Sequence, residues 1–153
     1  MPAKPNQLSL KGRALKYLAA REHSRVELTR KLGPHAESGE DIERVLDELE
    51  AKGLLCAQRF AESVLHRKAA KFGAGRLQAE LAQHQLPADI ARELAQSLRD
   101  TEFERAHALW ARRYGEIPET PEAKARQMRF LAGRGFSGEV IRRVIRGEGF
   151  THS

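Results

Sequence analysis

Residues 124–146 hold seven bases, Lys124, Arg126, Arg129, Arg134, Arg142, Arg143 and Arg146, against one acid, Glu139. A second run, Arg67, Lys68, Lys71 and Arg76, contains no acid. Ammonium and guanidinium groups in such runs neutralise phosphates, and bases aligned on one side of a helical protein can follow a polynucleotide backbone. Charge clustering and repeat position together select Arg67, Lys68, Lys71, Arg76, Arg126, Arg129, Arg134, Arg142 and Arg143 as candidate binding residues. The whole chain of 153 residues carries 27 Lys and Arg against 21 Asp and Glu, a net charge of +6 that favours a polyanionic partner. Residues 37–50 reverse the sign, with seven acids and one base, Arg44, which predicts an acidic outer face there.

Other constellations lack what their chemistry needs. Gly133, Gly135 and Gly138 have the glycine spacing of a dinucleotide-binding loop, but that loop requires a preceding strand, and an arginine-rich helical segment stands there instead. A helix stop followed by a new cap accounts for these glycines. Glu104 and His107 form a single Glu-x-x-His pair where a di-iron bundle needs two, so an exposed helix pair is expected. His66 and His84 each follow a glutamate by four residues, as in surface pairing on a helix. Cys56 is the one cysteine, so it has no internal disulfide partner. The sequence therefore predicts no catalytic residues, no cofactor and no metal, hence a protein that is not an enzyme. Residues 1–7 lack the apolar run of a signal peptide and no stretch has the roughly twenty apolar residues of a membrane span, which predicts a soluble cytoplasmic chain with no membrane contact.

The elements that carry these residues read as helices throughout. A shift of fifty places sets Trp110 on Phe60, Tyr114 on Val64, Arg126 on Arg76, Leu131 on Leu81, Phe136 on Leu86, Val140 on Ile90 and Val144 on Leu94. Agreement that keeps register across several helical segments marks stacked supersecondary units. The predicted fold is all-α, an elongated tandem array of three three-helix repeats at 10–55, 56–100 and 101–147, with flexible tails at 1–9 and 148–153. In the first repeat a helix over 10–22 presents Ala14, Leu15, Leu18 and Ala19. A second begins at the capping box Ser24 and Glu27 and stops at Gly33-Pro34, and a third begins at the similar pair Ser38 and Asp41 and buries Ile42, Val45, Leu46 and Leu49. In the second repeat a helix over 59–72 turns Phe60, Val64, Leu65 and Ala69 inward, Gly73 and Gly75 bracket a turn, and Pro87 opens the last helix as its first residue. In the third, Phe103, Ala106, Trp110 and Tyr114 line one face, Thr120-Pro121 opens the next helix, and Ser137 caps the last, which carries Val140, Ile141, Val144 and Ile145. The aromatics at core spacing, Phe60, Phe103, Trp110 and Tyr114, are expected to be buried rather than free to stack on bases.

The strings Ser24-Arg25-Val26-Glu27-Leu28 with Lys31-Leu32, Arg59-Phe60-Ala61-Glu62, Gly73-x-Gly75-Arg76-Leu77 with Glu80-Leu81, and Phe130-Leu131 with Arg134-Gly135-Phe136-Ser137 and Ile141 together resemble the RecX family of bacterial recombination regulators, from residue 10 to 145. The resemblance implies a regulator that binds the RecA recombinase filament in its helical groove on single-stranded DNA and inhibits recombination, ATPase and co-protease activities, with a place in DNA repair and the SOS response. It leaves double-stranded DNA open as a further ligand, and a monomer is expected. Two departures stand out: Cys56, Ala57 and Gln58 replace the acidic residues usual before Arg59, and Gln85 replaces the usual glycine before the second repeat's last helix. The alternative is a helix-turn-helix DNA-binding transcription regulator built on residues 10–53, but such a regulator with a wing needs two strands after its third helix, and Leu54-Leu55 lead toward another helix. A helical scaffold with no nucleic-acid link is a third reading, which salt-sensitive retention on a polyanion would exclude.

Overall fold

The computed structural model describes residues 8–149, so the predicted tails fall outside the described residues at 1–7 and 150–153. Among the described residues there are nine α-helices and no strand: α1 (Leu10–Ala20), α2 (Arg25–Leu32), α3 (Gly39–Ala51), α4 (Ala57–Lys68), α5 (Ala74–Ala82), α6 (Ala88–Asp100), α7 (Glu102–Arg113), α8 (Pro121–Gly133) and α9 (Gly138–Ile145). A 3-10 turn, Gly33–His35, follows α2. Residues 54–56 run directly into α4, leaving no room for a wing. The helices belong to two compact units, one of residues up to 63 together with 84–87, the other of 64–83 together with 88–149. The residues assigned to the second repeat divide between them.

The first unit is built from strongly signalled helix starts. Ser9 caps α1 by accepting from the Gly12 N–H at 3.0 Å. Ser24 and Glu27 form a complete capping box, Oγ accepting from the Glu27 N–H at 3.1 Å and the carboxylate from the Ser24 N–H at 3.0 Å. Ser38 caps α3 through the Asp41 N–H, but the Asp41 carboxylate accepts from Arg44 at 3.3 Å rather than reaching back. Leu28, Leu32, Ile42, Leu46 and Leu49 form the core with Ala14 and Leu55. The face of α1 differs from expectation: Leu15 and Ala19 are exposed, and Leu10, Tyr17 and Leu18 pack inward with Ala14. Tyr17 earns that place through polar neighbours, for its ring lies 5.7 Å from that of His23 and carries the Lys31 ammonium at 4.7 Å.

His23 itself is buried, its Nδ1 3.0 Å from the Arg21 carbonyl oxygen and its Nε2 2.8 Å from the Lys31 ammonium. The Lys31 ammonium can only donate, so Nε2 accepts and Nδ1 carries the proton, which makes His23 neutral. Burial, with Arg21 and Lys31 nearby, holds its pKa below the ordinary value near 6.5 against the opposing pull of the carbonyl. Glu27 goes the other way for a carboxylate: burial alone would raise it, but the Arg21 guanidinium at 2.6 Å and the Ser24 N–H outweigh that and hold it at about 2. In both cases the unfolded chain binds more protons, so the associated stability is lost as pH falls. We expect the urea midpoint followed by circular dichroism to drop in two steps, one below pH about 6.5 from His23 and one between about 4.5 and 2 from Glu27. The first step should be missing in His23→Gln.

His84, expected on a helix surface beside Glu80, lies instead in the turn after α5. Its ring packs 4.6 Å from Phe60 and its Nδ1 is 2.7 Å from Ser24 Oγ, both partners belonging to the first unit. Glu80 pairs with Lys68 instead. Gln85, next in this turn, has φ +50. A side chain there bears a left-handed backbone, and glycine avoids that cost. Gln85→Gly should therefore raise stability by about 0.5–1 kcal/mol in chemical denaturation, and a loss of stability would show that the Gln85 side chain makes a larger contribution of its own.

The second unit has its core in Ala106, Leu109, Trp110, Leu131, Phe136, Ile141, Val144 and Ile145, with α9 packed on α7 and α8. Thr120 accepts from the Ala123 N–H at 3.1 Å with Pro121 as the first helical residue, and Ser137 accepts from the Val140 N–H at 3.2 Å. Pro87 stands one residue ahead of α6 rather than inside it. Trp110 is fully buried and donates from Nε1 to Gln127 Oε1 at 2.7 Å, while the Gln127 amide donates to the Glu116 carbonyl at 3.1 Å, so the buried indole and amide are both satisfied. Phe60 and Trp110, equivalent under the fifty-residue shift, are the two largest fully buried side chains. Phe103 and Tyr114 are only half-buried. His107 is not the exposed partner of Glu104: it is half-buried, with its ring centroid 5.5 Å from that of Trp110.

α4 ends at Lys68, four residues before the expected stop. Beyond that end Arg105 on α7 takes over the free acceptors: its guanidinium donates to the Ala69 carbonyl at 2.9 Å, the Phe72 carbonyl at 2.6 Å and the Leu98 carbonyl at 2.8 Å. These carbonyls lie just beyond α4 and in the last turn of α6, where helices leave acceptors unpaired. Glu102, one turn earlier, is buried and accepts from the Ser137 N–H at 3.0 Å, supplying to α9 the bond that a capping-box glutamate would otherwise give.

Candidate functional site

All nine basic residues singled out by the sequence lie in the second unit. Arg67 and Lys68 end α4, Lys71 sits in the turn after it, Arg76 is on α5, Arg126 and Arg129 are on α8, Arg134 follows α8, and Arg142 and Arg143 are on α9. Arg67, Lys71, Arg76, Arg126, Arg129 and Arg142 are exposed, and Lys68, Arg134 and Arg143 half-buried. Two have carboxylate partners: Lys68 pairs with Glu80, and Arg143 with Glu148 at 3.1 Å. Among the described residues the other seven form no ion pair, and so retain charge for an external anion.

A backbone interlock brings two of these arginines together. The Gly73 N–H, at the N-cap of α5, donates to the Arg134 carbonyl at 2.8 Å. A Cβ at Gly73 would stand 2.4 Å from the Gly135 and Phe136 backbone, and one at Gly135, whose φ is +91, would stand 2.4 Å from the Arg76 Cβ. Only two glycines permit this approach. As a result both Arg76 and Arg134 reach the Phe72 ring, with guanidinium carbons 4.2 and 5.8 Å from its centroid. Arg76 also donates to the Gly133 carbonyl at 3.2 Å. Arg134 extends to Phe130 at 5.3 Å, where Arg113 approaches at 5.2 Å, and the Tyr114 ring meets Phe130 edge-on at 5.7 Å.

Arg142 lines a cleft of about 240 Å³ with Lys124 and Arg146 over Pro118, Met128 and Ile145. Arg143 covers the Phe103 ring at 4.2 Å. Charge clustering missed Arg113, because its equivalent fifty places earlier is Ser63 and it lies outside both basic runs. Its one sequence signal was position, three residues after Trp110 and next to Tyr114.

The predicted acidic face of α3 is present but largely compensated within its own unit. Arg25 on α2 binds Glu43 at 2.6 Å, Asp47 at 2.8 Å and Glu50 at 3.0 Å, and Glu48 accepts from Lys11 at 2.7 Å and Lys52 at 2.8 Å. Burial would lower the Arg25 pKa, but the three carboxylates outweigh it and raise the pKa. Hydrogen bonds from Lys11 and Lys52 hold Glu48 at about 2. Three carboxylates around one guanidinium still leave negative charge at the surface.

Residues 11–49 match the family model of the first three-helix domain of RecX, and residues 100–145 that of its third three-helix domain. The chain is 55% identical over 140 residues to the regulatory protein RecX of Leptothrix cholodnii, covering 92% of this chain and 89% of that one. The chain belongs to the RecX family. Another RecX, from Ralstonia pickettii, is 49% identical over 147 residues, covering 96% of this chain and 92% of its own length. The crystal structure of RecX from Lactobacillus salivarius superposes with a TM-score of 0.73 over 92% of this chain and 95% of that one at 20% identity, which shows a shared fold. The repeated all-helical fold expected from the sequence is thus a RecX fold. Among the described residues no helix is long and apolar enough to cross a membrane.

Proposed function

We propose that this RecX chain is a non-enzymatic, cytoplasmic regulator that binds the RecA recombinase filament on single-stranded DNA and inhibits its recombination, ATPase and co-protease activities. It acts as a monomer of three three-helix repeats at 10–55, 56–100 and 101–147, with double-stranded DNA as a second ligand. The observation that carries this is the concentration, in one unit of a RecX-family protein, of seven bases that have no carboxylate partner among the described residues. Unpaired surface cations release condensed counterions when they meet phosphates, and they also complement acidic protein surface. The negative surface of α3, with Arg25 at its centre, gives the chain a patch of opposite sign. A nucleoprotein filament offers both signs at once.

The test uses exposed residues that form no ion pair among the described residues. Replacing Arg67, Lys71, Arg126 and Arg129 together by glutamate should abolish inhibition of recombinase-driven strand exchange and co-sedimentation with filaments, while far-UV circular dichroism stays unchanged. Undiminished inhibition by this variant would remove the basic residues from the function.

A further inference from the structure

Charge clustering and repeat position selected the candidate residues, but the structure gathers three arginines around two aromatic rings. We propose that Arg76, Arg113 and Arg134, seated on Phe72 and Phe130, form a site for single-stranded nucleic acid, with their guanidinium edges taking phosphates and their planes, backed by the rings, stacking on unpaired bases. This rests on the proposed regulation of a DNA-bound filament and narrows it to a strand-binding site.

Three observations carry it. None of the three arginines pairs with a carboxylate among the described residues, although Arg25, Arg59, Arg143 and Arg146 each do. Each lies over an aromatic ring: Arg76 over Phe72 at 4.2 Å, Arg134 between Phe72 at 5.8 Å and Phe130 at 5.3 Å, and Arg113 over Phe130 at 5.2 Å. A guanidinium lying over a ring keeps its plane fixed and directs its N–H donors outward from the edge, where they match two oxygens of a phosphate. Finally, the fold fixes the arrangement, through the Gly73–Arg134 bond and the Arg76 donation to Gly133.

The planar guanidiniums decide between possible anions. Phe72 and Phe130 back the arginines, and Arg76 and Arg113 are exposed, so they can present planes as well as edges. An acidic peptide would engage the charges and leave those planes unused. Single-stranded nucleic acid presents phosphates and free base faces together, whereas a duplex keeps its bases stacked on one another.

The experiment measures binding of the full chain to a labelled oligothymidylate by fluorescence anisotropy across a salt series. Each lost phosphate contact lowers the magnitude of the log–log salt slope by about 0.7 on a single strand, so the variant R76Q/R113Q/R134Q should lose about 2 in slope and at least tenfold in affinity at low salt. The variant R76K/R113K/R134K should keep most of the slope but bind more weakly than the parent, because lysine retains charge without the stacked fork. Should the triple glutamine variant not fold, the exposed single variant Arg113→Gln must still lose about 0.7 in slope. An unchanged slope in these variants overturns the site. So does a parent chain that ignores the oligonucleotide yet is retained on polyglutamate through the same arginines, which would make the partner an acidic protein. Filament co-sedimentation keeps the two proposals apart: a chain that binds the oligonucleotide through these arginines but not the filament retains the strand site and loses the regulatory reading.

Discussion

Gly135→Ala should destabilise the second unit by about 3 kcal/mol, and Gly73→Ala by about 2 kcal/mol, far more than an alanine normally costs. The two glycines lie where the residue before α5 packs against the turn after α8. At Gly73 the added Cβ would stand 2.4 Å from the carbonyl carbon and oxygen of Gly135 and from the Phe136 nitrogen, all of them backbone atoms that cannot rotate away. Overpacking of that kind costs about 1–3 kcal/mol. At Gly135 the Cβ would meet the Arg76 Cβ at 2.4 Å, and a φ of +91 adds about 1–2 kcal/mol of backbone strain. Gly133 provides the control, since nothing lies within 4 Å of its Cβ position and it ends α8; Gly133→Ala should change stability by less than about 1 kcal/mol. Trp110 is the one tryptophan of the chain and sits in this unit's core, so its fluorescence during urea unfolding reports the relevant transition. If Gly135→Ala unfolds at the same midpoint as Gly133→Ala, the close approach is not a determinant of stability.

Local signals were the legible part of this fold. Ser24, Ser38, Thr120 and Ser137 cap helices where Ser and Thr precede apolar stripes, and Ile42, Leu46, Leu49, Ile141, Val144 and Ile145 are buried at helical spacing, because caps and stripes are written within a few residues of one another. The nine candidate bases were visible for the same reason, as runs of one charge. Contacts made across long sequence separations left no such trace. Gly73 and Gly135 read as turn glycines, although the tightest constraint on Gly73 is the Gly135 backbone, sixty-two positions away, and that on Gly135 is Arg76. His84 read as a surface residue because its partners, Phe60 and Ser24, are remote in sequence. The face of α1 was misread at Leu15 because aliphatic character outranks tyrosine in a hydrophobic pattern, while Tyr17 gains its place from His23 and Lys31. Arg113 lies outside both basic runs and its ring partner Phe130 stands on a different helix, so no local pattern marked it.

Arg105 illustrates that limit most fully and carries the other large expected effect. Nothing in Glu104-Arg105-Ala106 distinguishes it from a surface arginine, yet its guanidinium donates to three main-chain carbonyls and, through Nε, to Thr101 Oγ1 at 3.0 Å. Burial pushes its pKa down against the pull of Glu102, and the carbonyls at two helix ends compensate the buried charge. Arg105→Met keeps the apolar stem but removes every donor. Each buried carbonyl left without a partner costs about 1–3 kcal/mol, and release from burying a charge returns part of the total, so the net loss should be about 3 kcal/mol by Trp110-monitored unfolding. Arg105→Lys should recover less than half of it, because one ammonium cannot span acceptors that the planar fork reaches together. The turn that Arg105 holds ends at Phe72, on which Arg76 and Arg134 rest. Arg105→Met should therefore also weaken oligothymidylate binding at temperatures where the variant is folded, although Arg105 is only partly exposed and lies outside the proposed set of contacts. A stability within about 0.5 kcal/mol of the parent would mean that water replaces the guanidinium at all three carbonyls.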